Sequence, residues 1–149
     1  MIRLAVLEDI PDICRMATEF YKTTSYANLS KIPLNYDDVV ALAELMINAQ
    51  TISVAVLEGK VRGMIGLVVI PFVFNADYMH AGEIVWWVDD EIKGTGMGRA
   101  LLDAAETMAR DVGAVHIQMV DLISSGDLPG KIYTSAGYQL TERSYTKVL

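Results

Sequence analysis

Among its 149 residues the chain has one cysteine, two histidines and four prolines. A lone cysteine excludes an internal disulfide and suits a reducing compartment. Cys14 falls among helically spaced apolar residues, so a small buried hydrophobe is expected there. No paired Cys or His spacing suggests a metal, and no metal site is expected. Long apolar runs are also missing. The stretch from Met64 to Val73 is broken by Gly66 and Pro71 and falls short of the about 20 residues a membrane helix needs, which argues against a membrane partner. Met1-Ile2-Arg3-Leu4 lacks a basic segment leading into an apolar core, so the expected location is cytoplasmic. Positive charge is scarce, with 12 Lys and Arg against 19 Asp and Glu and a formal net charge of -7. Nothing offsets repulsion from a phosphate backbone, so nucleic acid is not an expected partner; a small cationic substrate is more comfortable.

What the chain does have is apolar content, 52% of its residues. A chain of this length buries roughly two-thirds of its unfolded surface, and residues 1–149 are read as one domain without linker, repeat or low-complexity segment. Ile2 to Val6 is a strand candidate. A first helix starts near Glu8-Asp9-Ile10-Pro11-Asp12 and ends near Thr23, a loop spans Thr24 to Leu34, and Asn35 caps a second helix with Val39, Leu42, Ala43 and Met46 on one side. Thr51–Leu57 and Val61–Ile70, joined by Glu58-Gly59-Lys60, form an antiparallel hairpin that Pro71 ends or leaves at an edge. After a loop around Asn75 to Tyr78, Gly82–Val88 is a strand. Met97–Val112 is a helix with Met97, Leu101, Ala104, Ala105, Met108 and Val112 facing inward. Val115–Leu122 follows as a parallel strand. A short helix near Pro129–Ser135 precedes two last strand candidates, Tyr138–Thr141 and Tyr145–Val148.

The richest stretch runs from Trp86 through Lys93-Gly94-Thr95-Gly96-Met97-Gly98-Arg99 to Leu102. An apolar strand leads through three alternate glycines into a helix. Glycines admit close approach to the backbone, and the unpaired first N–H groups of a helix, at its positive dipole end, make a phosphate seat. Three alternate glycines beside a helix start exceed what a tight turn requires. A dinucleotide site wants Gly-x-Gly-x-x-Gly early in its domain, with an acid about 20 residues on. Asp121 ends the next strand, but the glycine spacing differs, an antiparallel hairpin precedes the turn, and few residues follow it.

Trp87-Val88 through Lys93-Gly94-Thr95-Gly96-Met97-Gly98-Arg99-Ala100-Leu101-Leu102 resembles the acetyl-CoA signature of the GNAT superfamily of N-acetyltransferases. Ile132-Tyr133-Thr134-Ser135-Ala136-Gly137-Tyr138 is similar to the family's Leu-Tyr-x-x-x-Gly-Phe element, and Tyr145-Thr146-Lys147 fits a common ending. Lys93 departs from the usual Arg or Gln, and Ile123-Ser124-Ser125-Gly126 lacks the asparagine of many relatives. The resemblance extends over nearly the whole chain. It implies an α/β (α+β) single-domain fold with a mixed, mostly antiparallel central sheet of about six to seven strands, flanked by about four helices, with splayed parallel strands at the cofactor site.

The resemblance further implies acetyl-CoA as cosubstrate, its pyrophosphate on Lys93, Gly94, Thr95, Gly96, Met97, Gly98 and Arg99 and its pantetheine arm along the backbone of Trp87 and Val88. Tyr133 matches the tyrosine that approaches the CoA sulfur, where its phenol hydrogen-bonds to or protonates the thiolate; a core-facing aromatic on a short helix is the competing reading. Glu83 resembles a glutamate that takes the proton from the amine; a salt bridge or a substrate contact is the competing reading, and His80 is an alternative base. Strand alternation puts Glu83, Val85 and Trp87 on one face and Ile84, Trp86 and Val88 on the other. His116, in an otherwise apolar run, is read as structural or exposed. Asp89, Asp90 and Glu91 read as solvated turn charge, with recognition of a cationic substrate as the sharper alternative. The expected activity is acetyl transfer to a primary amine, on a small molecule or a peptide, by direct attack in a ternary complex. A non-catalytic CoA or acyl-CoA binding module is the alternative, and a homodimer is compatible with the high apolar share.

Overall fold

The computed structural model describes residues 1–149. In chain order its elements are β1 (Ile2–Leu4), α1 (Ile10–Thr23), α2 (Ser25–Leu29), α3 (Tyr36–Asn48), β2 (Ile52–Leu57), β3 (Lys60–Phe72), β4 (Asn75–Val88), α4 (Met97–Asp111), β5 (Ala114–Gln118) and α5 (Leu128–Ser135). One sheet runs β1-β2-β3-β4-β5, antiparallel at every step except the parallel pair β4 and β5. The crossover from β4 to β5 is α4, as a parallel connection requires.

Local chemistry sets the ends of these elements. The Asn35 side chain accepts the N–H groups of Asp37 and Asp38 at 2.9 and 3.3 Å and so caps α3. Asp9 receives a bidentate grip from Arg3 at 2.6 and 2.8 Å and the Val6 N–H at 2.9 Å, tying β1 to the approach of α1. Alternation along β2 and β3 then divides the core into two layers. Ile52, Val54 and Met64 pack with Ile13, Met16, Ala43 and Met46 from α1 and α3. Ala55, Ile65 and Leu67 pack with Leu101, Ala105, Met108 and Ala109 of α4.

The sheet has five strands rather than six or seven. Tyr138–Thr141 and Tyr145–Val148 do not pair: residues 139–149 make no backbone hydrogen bond, and Leu140 and Tyr145 stand in solvent. A strand exists only through its ladder, and the tail is tied to β5 by a side-chain hydrogen bond, Gln118 Nε2 donating to Glu142 Oε2 at 3.2 Å. The expected loop at Thr24 to Leu34 contains the one-turn α2, and the expected loop at Asn75 to Tyr78 is instead the start of β4. Pro71 stays inside β3 because β2 pairs no further than Gly66, leaving Pro71 on an open edge where its missing N–H costs nothing. The last strand of the sheet stops at Gln118, four residues before Leu122.

Candidate active site

Two irregularities in β4 create the site. The pairing of β4 with β5 ends at Gly82 and Gln118, while β4 runs on to Val88, so its last six residues lack a neighbour on that side. On the other side the register slips: Gly66 faces Val85, but Leu67 faces Glu83, leaving Ile84 as the extra residue of a bulge. The bulge overturns the simple alternation expected for this strand. Glu83 shares its face with its partner Leu67 in the α4 layer, whereas Val85, Ile84 and Trp87 pack in the α1 and α3 layer. Trp86 and Val88 face α4.

Within the splay, Glu83 Oε2 accepts the Val120 N–H at 2.9 Å, and Tyr133 Oη donates to the Val120 carbonyl at 2.8 Å. One peptide residue thus ties the carboxylate on β4 to the phenol on α5. Pro129 and Tyr133, one turn apart on α5, close a small open cleft together with Phe20, Glu83, Trp86, Val120, Leu122 and Ser125. Removal from water pushes the Glu83 pKa up to about 7, against the lowering effect of the Val120 N–H. The buried Tyr133 hydroxyl is also raised, by desolvation first and then by the negative charges of Glu83 and Asp121, so it stays protonated. Its ring lies against Trp86, with centroids 5.6 Å apart.

The glycine turn lies at the far end of the same strand. Gly94 and Gly96 have φ of +74° and +86°, and Gly96 is the residue before the first turn of α4. Neither the backbone nor a side chain of the protein accepts the N–H groups of Gly94, Gly96, Gly98 or Arg99, while Met97 N–H makes one long contact to Thr95 Oγ1 at 3.5 Å. The indole N–H of Trp86 is buried without an acceptor, and the same edge of that ring lies 3.8 Å from where a Cβ on Gly98 would sit. Orphan donors gathered at a helix start fit an acceptor-rich anion. Lys93 pairs with Asp90 at 2.5 Å and Arg99 with Asp103 at 2.9 Å, both at the surface.

Asp89, between strand and turn, is buried rather than solvated. Burial alone would raise its pKa, but Arg15 at 2.8 and 3.1 Å, the Trp87 indole at 2.9 Å and Arg62 at 3.6 Å hold it below the ordinary carboxylate range. Asp90 and Glu91 are exposed, as expected of turn charge. No signal in the sequence links Arg15 to Asp89, 74 positions away, or marks Val120, whose part is played by its backbone alone.

The fold therefore brings Glu83 and Tyr133 together and sets Gly94, Thr95, Gly96, Met97, Gly98 and Arg99 in one turn. The Trp87 side chain points to Asp89, with Lys93 Nζ 6.0 Å from its ring, while Val88 Cγ1 lies 3.9 Å from where a Cβ on Gly98 would sit. His80 does not line the cleft. Its Nδ1 faces His116 Nε2 at 3.2 Å on the neighbouring strand, beside Phe72. Cys14 is buried in α1, as its spacing implies.

The family model described as the acetyltransferase (GNAT) family matches residues 12–127. The chain belongs to that family of acetyltransferases. Its fold is shared with a Trypanosoma brucei acetyltransferase, 18% identical at a TM-score of 0.72, with 100% of this chain and 99% of that one covered. The protein yncA of Salmonella typhimurium, solved with its cofactor acetyl-CoA, is 22% identical at a TM-score of 0.77, covering 95% of this chain and 80% of that one. A ribosomal-protein-alanine N-acetyltransferase from Brucella melitensis is 20% identical at a TM-score of 0.73, over 92% and 83% of the two chains. No curated protein sequence matches the chain. No helix is long and apolar enough to cross a membrane.

Proposed function

We propose that this protein is an acetyl-CoA-dependent N-acetyltransferase that acts on a primary amine by direct attack in a ternary complex. The observation that carries the reading is the pair of Glu83 and Tyr133 held on the two sides of Val120, in a splay that opens beside the glycine turn. The unaccepted N–H groups of Gly94, Gly96, Gly98 and Arg99 would hold the pyrophosphate, with Lys93 and Arg99 exchanging their surface acids for it at little cost. The open edge of β4 beyond Gly82 suits the amides of a pantetheine arm, Trp87 and Val88 included.

Bound acetyl-CoA supplies a thioester whose acyl carbon accepts the amine's lone pair and whose sulfur leaves and takes up a proton. Glu83, with a pKa near 7, removes a proton from the incoming ammonium directly or through water, so that nitrogen arrives with its lone pair free. Tyr133 remains a proton donor throughout this range and can turn its O–H from the Val120 carbonyl toward a developing thiolate. Incubation with acetyl-CoA and a panel of amines, followed by thiol release, tests the reading. Release with at least one amine and stoichiometric acetamide supports it. Cofactor binding without turnover across the panel would mark a binding module instead.

A further inference from the structure

A direct transfer brings its two reactants to the cleft from opposite ends. The glycine turn, α4 and the face of Trp86 lie on one side of the sheet, so the acetyl donor comes from there. The other end is walled by Phe20 of α1, which packs in the opposite core layer, and by Leu122 and Pro129. Phe20, Leu122 and Pro129 give this far end an apolar wall; the one acidic side chain lining the cleft is Glu83, and the charge of Asp121 reaches Tyr133 from just outside it. None of the 12 Lys and Arg side chains lines the cleft, and neither histidine does. Lys131, on the same helix as Pro129 and Tyr133, sits two residues from Tyr133, about 200° around the helix, and faces away.

We infer that the acceptor is a primary amine carried on an apolar body, an alkylamine or arylalkylamine, and that amines bearing a carboxylate beside the nitrogen are rejected. The inference rests on the transfer reading above and adds the acceptor class to it. An α-amino acid bound with its nitrogen at Glu83 would bring its carboxylate against an apolar wall with no lining cation to pair it, beside the negative charges of Glu83 and Asp121. A polyamine would have to leave further ammonium groups among Phe20, Leu122 and Pro129, again unpaired. An apolar body fills the same space without leaving a charge unpaired.

The test compares kcat/KM for 2-phenylethylamine, phenylalanine, phenylalanine amide and spermidine at saturating acetyl-CoA, following thiol release. Phenylalanine has the less basic nitrogen and so more neutral amine at pH 7.5, which by itself favours it. With rates referred to the concentration of neutral amine, which is highest for phenylalanine amide, the expected order is nevertheless 2-phenylethylamine above phenylalanine by on the order of a hundredfold, with the amide recovering most of the loss because it lacks the charge. Ser125→Arg, an exposed substitution at the cleft, is expected to raise phenylalanine turnover relative to 2-phenylethylamine by roughly tenfold. Equal or faster reaction of phenylalanine or spermidine overturns the acceptor class and leaves acetyl transfer standing. An amide as poor as the acid overturns it too, because bulk rather than charge would then decide. Acetyl-CoA binding with no thiol release from any of the four overturns the acceptor class, and acetyl transfer falls with it only where the wider amine panel is silent as well.

Discussion

Glu83 and Tyr133, fifty residues apart in sequence, are hydrogen-bonded to the two ends of one residue: Glu83 accepts the Val120 N–H at 2.9 Å and Tyr133 donates to the Val120 carbonyl at 2.8 Å. Each bond satisfies a backbone group that β5 stops short of pairing, since that strand ends at Gln118. The two side chains that flank the splay therefore also hold it open.

Removing the Tyr133 hydroxyl separates the two contributions. Tyr133→Phe keeps the ring against Trp86 and loses one buried hydrogen bond, an expected cost of about 1 kcal/mol in unfolding free energy. If the phenol protonates the thiolate, kcat falls by on the order of a hundredfold while the KM for acetyl-CoA changes little. A kcat within a factor of two of wild type would remove the acid role.

Glu83 links pH to stability and, if it is the base, to rate. Because its pKa is about 7 in the folded protein and 4.5 when unperturbed, the folded state holds more protons between those values, and the carboxylate makes stability fall as pH rises through this window. Glu83→Gln, which can still accept from Val120, is expected to melt a few degrees above wild type at pH 8 and level with it near pH 4.5. The same variant is expected to lose on the order of a hundredfold in kcat/KM at pH 7 and regain part of that loss at higher pH, where more amine is neutral. A pH–rate profile parallel to wild type would count against a base at this position.

Much of this site is legible in the sequence because it depends on short-range patterns. Alternate glycines before an amphipathic helix locate the turn, and Gly137-Tyr138 sets the register of Tyr133. What escapes is decided by pairing across the sheet. The bulge at Ile84 moves Glu83 off the face of Val85, yet no residue in β4 announces it; it follows from where β3 must place Gly66 against Met46 and Leu67 against α4. The tail from Tyr138 alternates well enough to suggest strands, but it has no ladder partner. Asp89 reads as one of three turn acids, and only the fold shows Arg15 and Arg62 converging on it.

Breaking that convergence is expected to act at the glycine turn. Asp89→Asn weakens the grip of Arg15 and costs roughly 1–3 kcal/mol of stability at neutral pH. Since the Asp89 pKa is depressed in the fold, its contribution is present above the usual carboxylate range and fades as pH drops below about 4, so the melting gap between variant and wild type narrows in acid. With the strand end loosened ahead of Lys93, KM for acetyl-CoA is expected to rise more than kcat falls. A melting gap unchanged from pH 7 to pH 3 would refute the assignment.

The glycines of the turn are not equivalent, and alanine scanning by thermal melt should separate them. Gly96 sits at φ +86° with open space around its missing Cβ, so Gly96→Ala meets no clash and pays only in backbone strain, about 1 kcal/mol or more. Gly98 is inside α4, where a Cβ would make ordinary contacts with Trp86 and Val88 at 3.8 and 3.9 Å. Gly98→Ala is therefore expected to raise the melting temperature, through helix propensity worth up to about 1 kcal/mol. Equal effects at both positions would mean that the left-handed backbone at Gly96 is not what requires glycine there.

The acids beside the turn yield a prediction of opposite sign. Lys93 is held by Asp90 at 2.5 Å and Arg99 by Asp103 at 2.9 Å, all four side chains at least partly in water, so neither pair contributes much to stability. In a protein of net charge -7, if the turn seats phosphate, each acid beside it opposes that anion and occupies the cation that would greet it. Asp90→Asn should free Lys93 and tighten acetyl-CoA binding by roughly two- to fivefold at low ionic strength, leaving the melting temperature nearly unchanged. Lys93→Met should weaken binding by a similar factor. Both effects should shrink as salt rises toward 1 M, where the Debye length is about 3 Å. Titration of acetyl-CoA at two salt concentrations distinguishes this charge effect from a disturbed turn, which salt would not repair: an Asp90→Asn variant that binds more weakly than wild type at both would show that Asp90 shapes the turn rather than guarding it.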